Sequence, residues 1–227
     1  MKKIEFFGLP NSGKSFFFTK IRKTFKETHN YESIFYFWLF RNKKISYLSY
    51  KLISNFILNE INDHKKNKFL FFFQRKIYFF IKQKSLPEFN IQQNKIKKKY
   101  KLFFVRLDKL LDGHKDTNRL SKMFASLLLG YELAKTMRVN LISSEGLAQR
   151  IFGILLRKKI SKRNIRAIIN YLPKPSHIVY FFKDKRNNFN IEEIVKAYYS
   201  LKVKFILIKD GDQIQRKLVY ELKKVLK

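Results

Sequence analysis

Residues 8–15 read Gly-Leu-Pro-Asn-Ser-Gly-Lys-Ser, and they follow a short apolar segment carrying Ile4, Phe6 and Phe7. This spacing matches G-x-x-x-x-G-K-[ST] in full and constrains the fold more than anything else in the chain. It asks for a buried strand, a tight turn and a helix in immediate succession. Gly8 and Gly13 let the backbone turn and come close to a ligand without a Cβ in the way. Successive N–H groups of such a turn point inward and form a nest for an anion. From Lys14 onward, Phe17, Ile21 and Phe25 recur every four residues, while Lys20, Arg22, Lys23 and Lys26 take the other faces. That period predicts an amphipathic helix whose positive end meets the turn.

The ligand this predicts is the phosphate tail of ATP or GTP with Mg²⁺. The binding set is Gly8, Leu9, Pro10, Asn11, Ser12, Gly13, Lys14, Ser15 and Phe16. Lys14 is expected to reach the β- and γ-phosphates and the Ser15 hydroxyl to ligate Mg²⁺.

The later chain alternates strands and helices. Residues 116–137 predict a helix, with Asp116 or Thr117 as its cap and Leu120, Met123, Phe124, Leu127, Leu128, Tyr131 and Leu133 on a wide apolar face. Strands are expected at 138–143, 177–182 and 203–208, and helices at 147–156, 164–172, 191–201 and 213–226. Strand-then-helix order predicts a parallel sheet with helices on both faces. Residues 31–40 are aromatic-rich and fit a strand or a helix. The spacing at 45–61 and 68–81 predicts helices, and Leu86-Pro87 predicts a break before a polar, basic stretch at 89–99. The expected organisation is one α/β domain over 1–227, with 31–112 as a helical insert or acceptor-side region.

A second constellation reads Ser143-Ser144-Glu145-Gly146-Leu147-Ala148-Gln149-Arg150. It starts where a predicted strand ends, the edge at which open α/β sheets bind ligands. Glu145 suits Mg²⁺ coordination through water or proton acceptance from an attacking hydroxyl. Arg150 suits a phosphoryl clamp, and Gln149 an acceptor hydrogen bond. The bland alternative is an ordinary helix N-terminus with Glu favoured by the dipole. Lys183-Asp184-Lys185-Arg186 would serve as a basic lid or a solvated turn, and Asp210-Gly211-Asp212 as a base-side loop or a helix cap.

Together these features resemble the P-loop kinases of the nucleotide and nucleoside kinase group, thymidylate kinase-like in outline. The resemblance rests on residues 8–15 near the start, the late strand–helix order and the strand-end Ser-Glu-Gly-Leu-Ala-Gln-Arg. It covers 1–27 and about 116–227. It implies a three-layer α/β/α P-loop NTPase fold with a mainly parallel sheet and a helical, basic insert. It also implies γ-phosphoryl transfer from Mg-ATP to a small nucleoside-, nucleotide- or sugar-type acceptor, with Lys14, Glu145 and Arg150 as catalytic residues and Ser15 and Glu145 at the metal. Ser144 stands where small P-loop proteins of this kind often carry Asp. The chain has no Asp-x-x-Gly turn and no Asn-Lys-x-Asp guanine reader of GTPases.

Cysteine is absent, which excludes disulfides, a thiolate nucleophile and a Cys-based zinc site. No apolar run approaches a bilayer span or a signal h-region, so the expectation is a cytoplasmic chain. The net charge is +33. Lys, Phe, Ile, Asn and Tyr, all with A/T-rich codons, are abundant throughout, so composition explains much of this charge without a partner. Residues 64–106 nonetheless hold thirteen Lys or Arg and one acid, Glu88. The alternative function is therefore a non-catalytic nucleotide-binding module whose basic face grips nucleic acid or an anionic membrane surface. The aromatics 71–73 and 78–80 suit base stacking or membrane insertion, but their helical spacing favours core packing.

Overall fold

The computed structural model describes residues 1–9, 12–25, 29–60, 68–111, 116–155, 162–182, 189–209 and 214–226. Four strands, β1 (Lys3–Gly8), β2 (Leu141–Ser143), β3 (His177–Phe182) and β4 (Lys204–Lys209), form one sheet. All neighbours in it are parallel, in the order β2-β1-β3-β4. The strand that leads into residues 8–15 is thus central, and the strand that ends at Ser143 lies directly beside it.

Side-chain alternation on these strands feeds two cores. Ile4, Phe6, Ile142, Val179, Phe181, Ile206 and Ile208 point to one face. There they meet Phe18 and Ile21 of α1 (Lys14–Thr24) and Leu218 and Leu222 of α10 (Ile214–Leu226). Phe7, Leu141 and Ile178 point to the other face and join a larger core. That core takes in α2 (Tyr31–Arg41), α3 (Tyr47–Glu60), α4 (Lys68–Lys99), α5 (Lys101–Leu110) and α6 (Thr117–Met137). It also takes in α7 (Leu147–Leu155), α8 (Lys162–Asn170) and α9 (Phe189–Ser200). The chain is therefore α/β, with an all-parallel sheet covered on both faces.

The aromatic-rich segment after residue 30 is a helix, α2. Its start is set by a reciprocal cap. Asn30 Oδ1 accepts from Ser33 N at 2.6 Å, and Asn30 N donates to Ser33 Oγ at 3.0 Å. Tyr31, Phe35 and Leu39 then follow one another at the four-residue spacing that packs α2 inward.

Three expectations change. The break at Leu86-Pro87 does not occur, because α4 runs through Pro87 to Lys99. Tyr78, Ile81, Ser85 and Ile96 are buried along one face of α4. Burial of that face outweighs the roughly 3 kcal/mol an interior proline costs. The strand expected from 138 begins only at Leu141. Arg138 has φ 55° and ends α6 in the left-handed conformation, with Val139 N donating to Ala134 O. Finally, the Asp116 side chain makes no capping hydrogen bond to α6, and the Thr117 hydroxyl donates to Leu111 O at 3.1 Å.

Candidate functional site

The motif at residues 8–15 joins β1 to α1, as its spacing predicts. Gly8 has φ 151°, and a Cβ there would lie 2.6 Å from Phe181 O, so β3 approaches too closely for any side chain. Ser12 N donates back to Leu9 O at 3.3 Å. Gly13 has φ 79°, the left-handed conformation glycine adopts at little cost, and it opens α1 with no side-chain cap. The first turn of α1 holds no acidic residue. The positive end of the helix is thus neither capped nor neutralised by its own side chains.

Lys14 folds back over this turn. Its Nζ donates to Gly8 O (3.0 Å), Leu9 O (2.5 Å) and Ser12 Oγ (3.1 Å). Burial pulls the ammonium down from the ordinary lysine value of 10.5 to about 8, and the Glu145 carboxylate pulls it partly back. Phe16 projects outward under Lys20, whose Nζ lies 4.2 Å from the ring centroid. Pro10 and Asn11 lie outside the described residues, as do the Ser15 side chain, 183–186 and 210–212.

The fold brings the second constellation to this loop. Gln149, on α7, accepts from Gly8 N at 3.1 Å. It therefore supports the turn after β1. Glu145 and Arg150 form an ion pair with each other at the β2–α7 junction. Arg150 Nε is buried and has no hydrogen-bond partner among the described residues. Glu145 N donates to Ser143 Oγ at 3.2 Å, which fixes the turn out of β2.

Sequence reasoning missed Glu5. It sits inside β1, 1% exposed, among apolar neighbours. Its Oε1 accepts from Tyr31 OH (2.9 Å) and Tyr131 OH (2.5 Å), and its Oε2 from Ala148 N (2.9 Å). Burial, with the Glu5 charge beside them, holds both phenols far above the ordinary tyrosine range. Glu5 thus joins β1 to α2, α6 and the first turn of α7. The available signal was an acid interrupting Ile4-Glu5-Phe6-Phe7; its partners lie 26, 126 and 143 residues away in sequence. Gly146 makes room for it, because a Cβ there would lie 2.2 Å from Glu5 Cδ.

A cavity of about 350 Å³ opens between α2, α4 and α6, lined among others by Tyr31, Glu32, Phe35, Lys82, Phe89 and Ser126. Tyr78 OH donates to Glu32 at its margin, and Lys82 Nζ donates to Tyr78 OH at 3.2 Å. Tyr31, one of the residues that line the cavity, reaches Glu5 of β1 through its hydroxyl. No family model, curated protein or solved structure matches this chain.

Proposed function

We propose that the chain is a P-loop protein that binds a magnesium nucleoside triphosphate at residues 8–15 and transfers its γ-phosphoryl group to a small acceptor. One observation carries this reading: Lys14 is desolvated and folded over a turn that feeds an uncapped helix N-terminus. A half-buried ammonium beside a helix N-terminus that has no side-chain cap favours a multiply charged anion. The sheet order supports the P-loop kinase-like three-layer arrangement, since β2 delivers Glu145 and Arg150 next to β1.

The Ser15 hydroxyl and, through water, the Glu145 carboxylate would supply oxygen donors, which suit Mg²⁺. When bound, Mg²⁺ would neutralise charge on the phosphate oxygens. Lys14 leaves the loop carbonyls to contact the β- and γ-phosphates. Gln149 holds Gly8 N and so fixes the first amide of the turn. Arg150 exchanges Glu145 for the phosphoryl group, which frees the carboxylate. The acceptor oxygen then forms a bond to the γ-phosphorus as the bond to the β,γ-bridging oxygen breaks. The electron pair leaves with the nucleoside diphosphate, and the acceptor proton passes to Glu145. In this reading the helical region supplies the acceptor side, and the 350 Å³ cavity has the room for a nucleoside-, nucleotide- or sugar-sized molecule.

Incubating the protein with Mg·ATP and a panel of nucleosides, nucleotides and sugars tests the reaction. Acceptor-dependent ADP that disappears in Lys14→Ala is expected. ADP release no greater than in Lys14→Ala with every acceptor would refute catalysis.

A further inference from the structure

Phe72, Phe79 and Phe80 on α4 are not among the residues that line the cavity assigned to the acceptor. Phe72, Phe79 and Leu86 are spaced seven apart and fall along one line of the helix, with Phe80 beside them. They are 55%, 46%, 48% and 57% exposed, whereas Tyr78, Ile81 and Ser85 on the opposite face are buried. The expectation of core packing for these aromatics therefore holds for Tyr78 and fails for Phe72, Phe79 and Phe80. The line of apolar groups is about 21 Å long at 1.5 Å per residue. Exposed Arg75 borders it on one side, and exposed Lys76 and Lys84 on the other. Residues 68–87 contain no acid, and the next one, Glu88, is paired with Lys44 at 2.6 Å.

An apolar stripe between two basic borders fits the interface of a negatively charged bilayer: rings enter the acyl boundary while ammonium groups stay level with the headgroups. Nucleic acid fits less well. Lys76 lies 4.7 Å over Phe72, Arg75 5.6 Å over Phe79 and Lys84 4.4 Å over Phe80, so each ring already has a cation on a face that a base would stack on. Leu86 offers no stacking surface at all. No helix among the described residues is long and apolar enough to cross a membrane, which leaves a contact lying in the interface plane. We infer that the outer face of α4 docks the protein on an anionic lipid surface, with Phe72, Phe79 and Phe80 inserted and Arg75, Lys76 and Lys84 on the headgroups. This holds whether or not the protein transfers phosphate.

The chain has no cysteine, so a single Phe79→Cys carries an environment-sensitive fluorophore on the full-length protein, and Lys223→Cys on α10 provides the reference site. Vesicles of phosphatidylcholine with about 30% phosphatidylserine should shift the emission at position 79 to the blue and leave position 223 water-like. Pure phosphatidylcholine vesicles should shift neither. The charge-neutral triple variant Phe72→Ser, Phe79→Ser, Phe80→Ser should bind the anionic vesicles about tenfold or more weakly, with its circular dichroism unchanged, since all three rings are exposed. Triple-variant binding equal to wild type would reduce the effect to bulk charge and overturn the proposal. So would a label at 79 that stays water-like on vesicles, or one that responds to single-stranded RNA and not to lipid.

Discussion

The buried carboxylate of Glu5 makes Gly146 irreplaceable, and this can be put in numbers. Replacing Gly146 with Ala places a methyl 2.2 Å from Glu5 Cδ, 2.4 Å from Oε2 and 2.5 Å from Cγ. Ordinary contact is farther by about 1 Å. The end of the Glu5 side chain must therefore move, and Oε2 gives up its bond to Ala148 N first. One hydrogen bond to a charged group contributes about 2 kcal/mol. Alanine in place of glycine just before α7 adds about 0.5–1 kcal/mol as a poorer N-cap. Gly146→Ala should therefore destabilise the fold by about 3 kcal/mol, measured by urea denaturation followed by circular dichroism. In a Glu5→Ala background the clash is gone, so the same substitution should cost only about 1 kcal/mol, a coupling of about 2 kcal/mol. Among the described residues nothing lies within 4 Å of a Cβ built on Gly153, inside α7. Gly153→Ala should stabilise by about 0.5–1 kcal/mol through helix propensity alone. A Gly146→Ala cost below about 1 kcal/mol, or an equal cost in both backgrounds, would refute the claim that Glu5 pins α7 to β1.

Titration of Lys14 gives two further expectations. A triphosphate needs the ammonium, so nucleotide affinity should be flat below the free-protein value of about 8 and fall about tenfold per pH unit above it; a flat calorimetric profile through pH 9.5 or so would contradict this. For folding the sign is opposite. Between about 8 and 10.5 the unfolded chain binds more protons at Lys14 than the folded one, so wild type should gain stability relative to Lys14→Met as pH rises through that window, and urea midpoints of the two proteins that stay parallel would contradict it.

The parts of the fold that the sequence revealed are those governed by local rules. The Gly8–Gly13 spacing announced β1, the turn and α1. The helical period of Leu120, Phe124, Leu128 and Tyr131 announced α6, and the apolar runs announced β3 and β4. The segment after residue 30 was ambiguous because aromatics suit either element, and the Asn30–Ser33 cap that decides it does not take the Ser/Thr-x-x-Glu form. Pro87 misled because tertiary burial of Tyr78, Ile81 and Ser85 overrides its local preference. The strand-end position of Glu145 and Arg150 was legible, but their mutual ion pair and the seat of Gln149 on Gly8 N were not. Those contacts depend on how close α7 stands to β1, which Glu5 sets through partners far away in sequence.

The central claim is that the turn after β1 holds a triphosphate through Lys14. Isothermal titration of Mg·ATP and Mg·GTP into the wild-type protein and Lys14→Ala tests it most directly. One binding event per chain in the wild type, lost in the variant, is the predicted result. No heat at about millimolar nucleotide, or equal heat in both proteins, would contradict it.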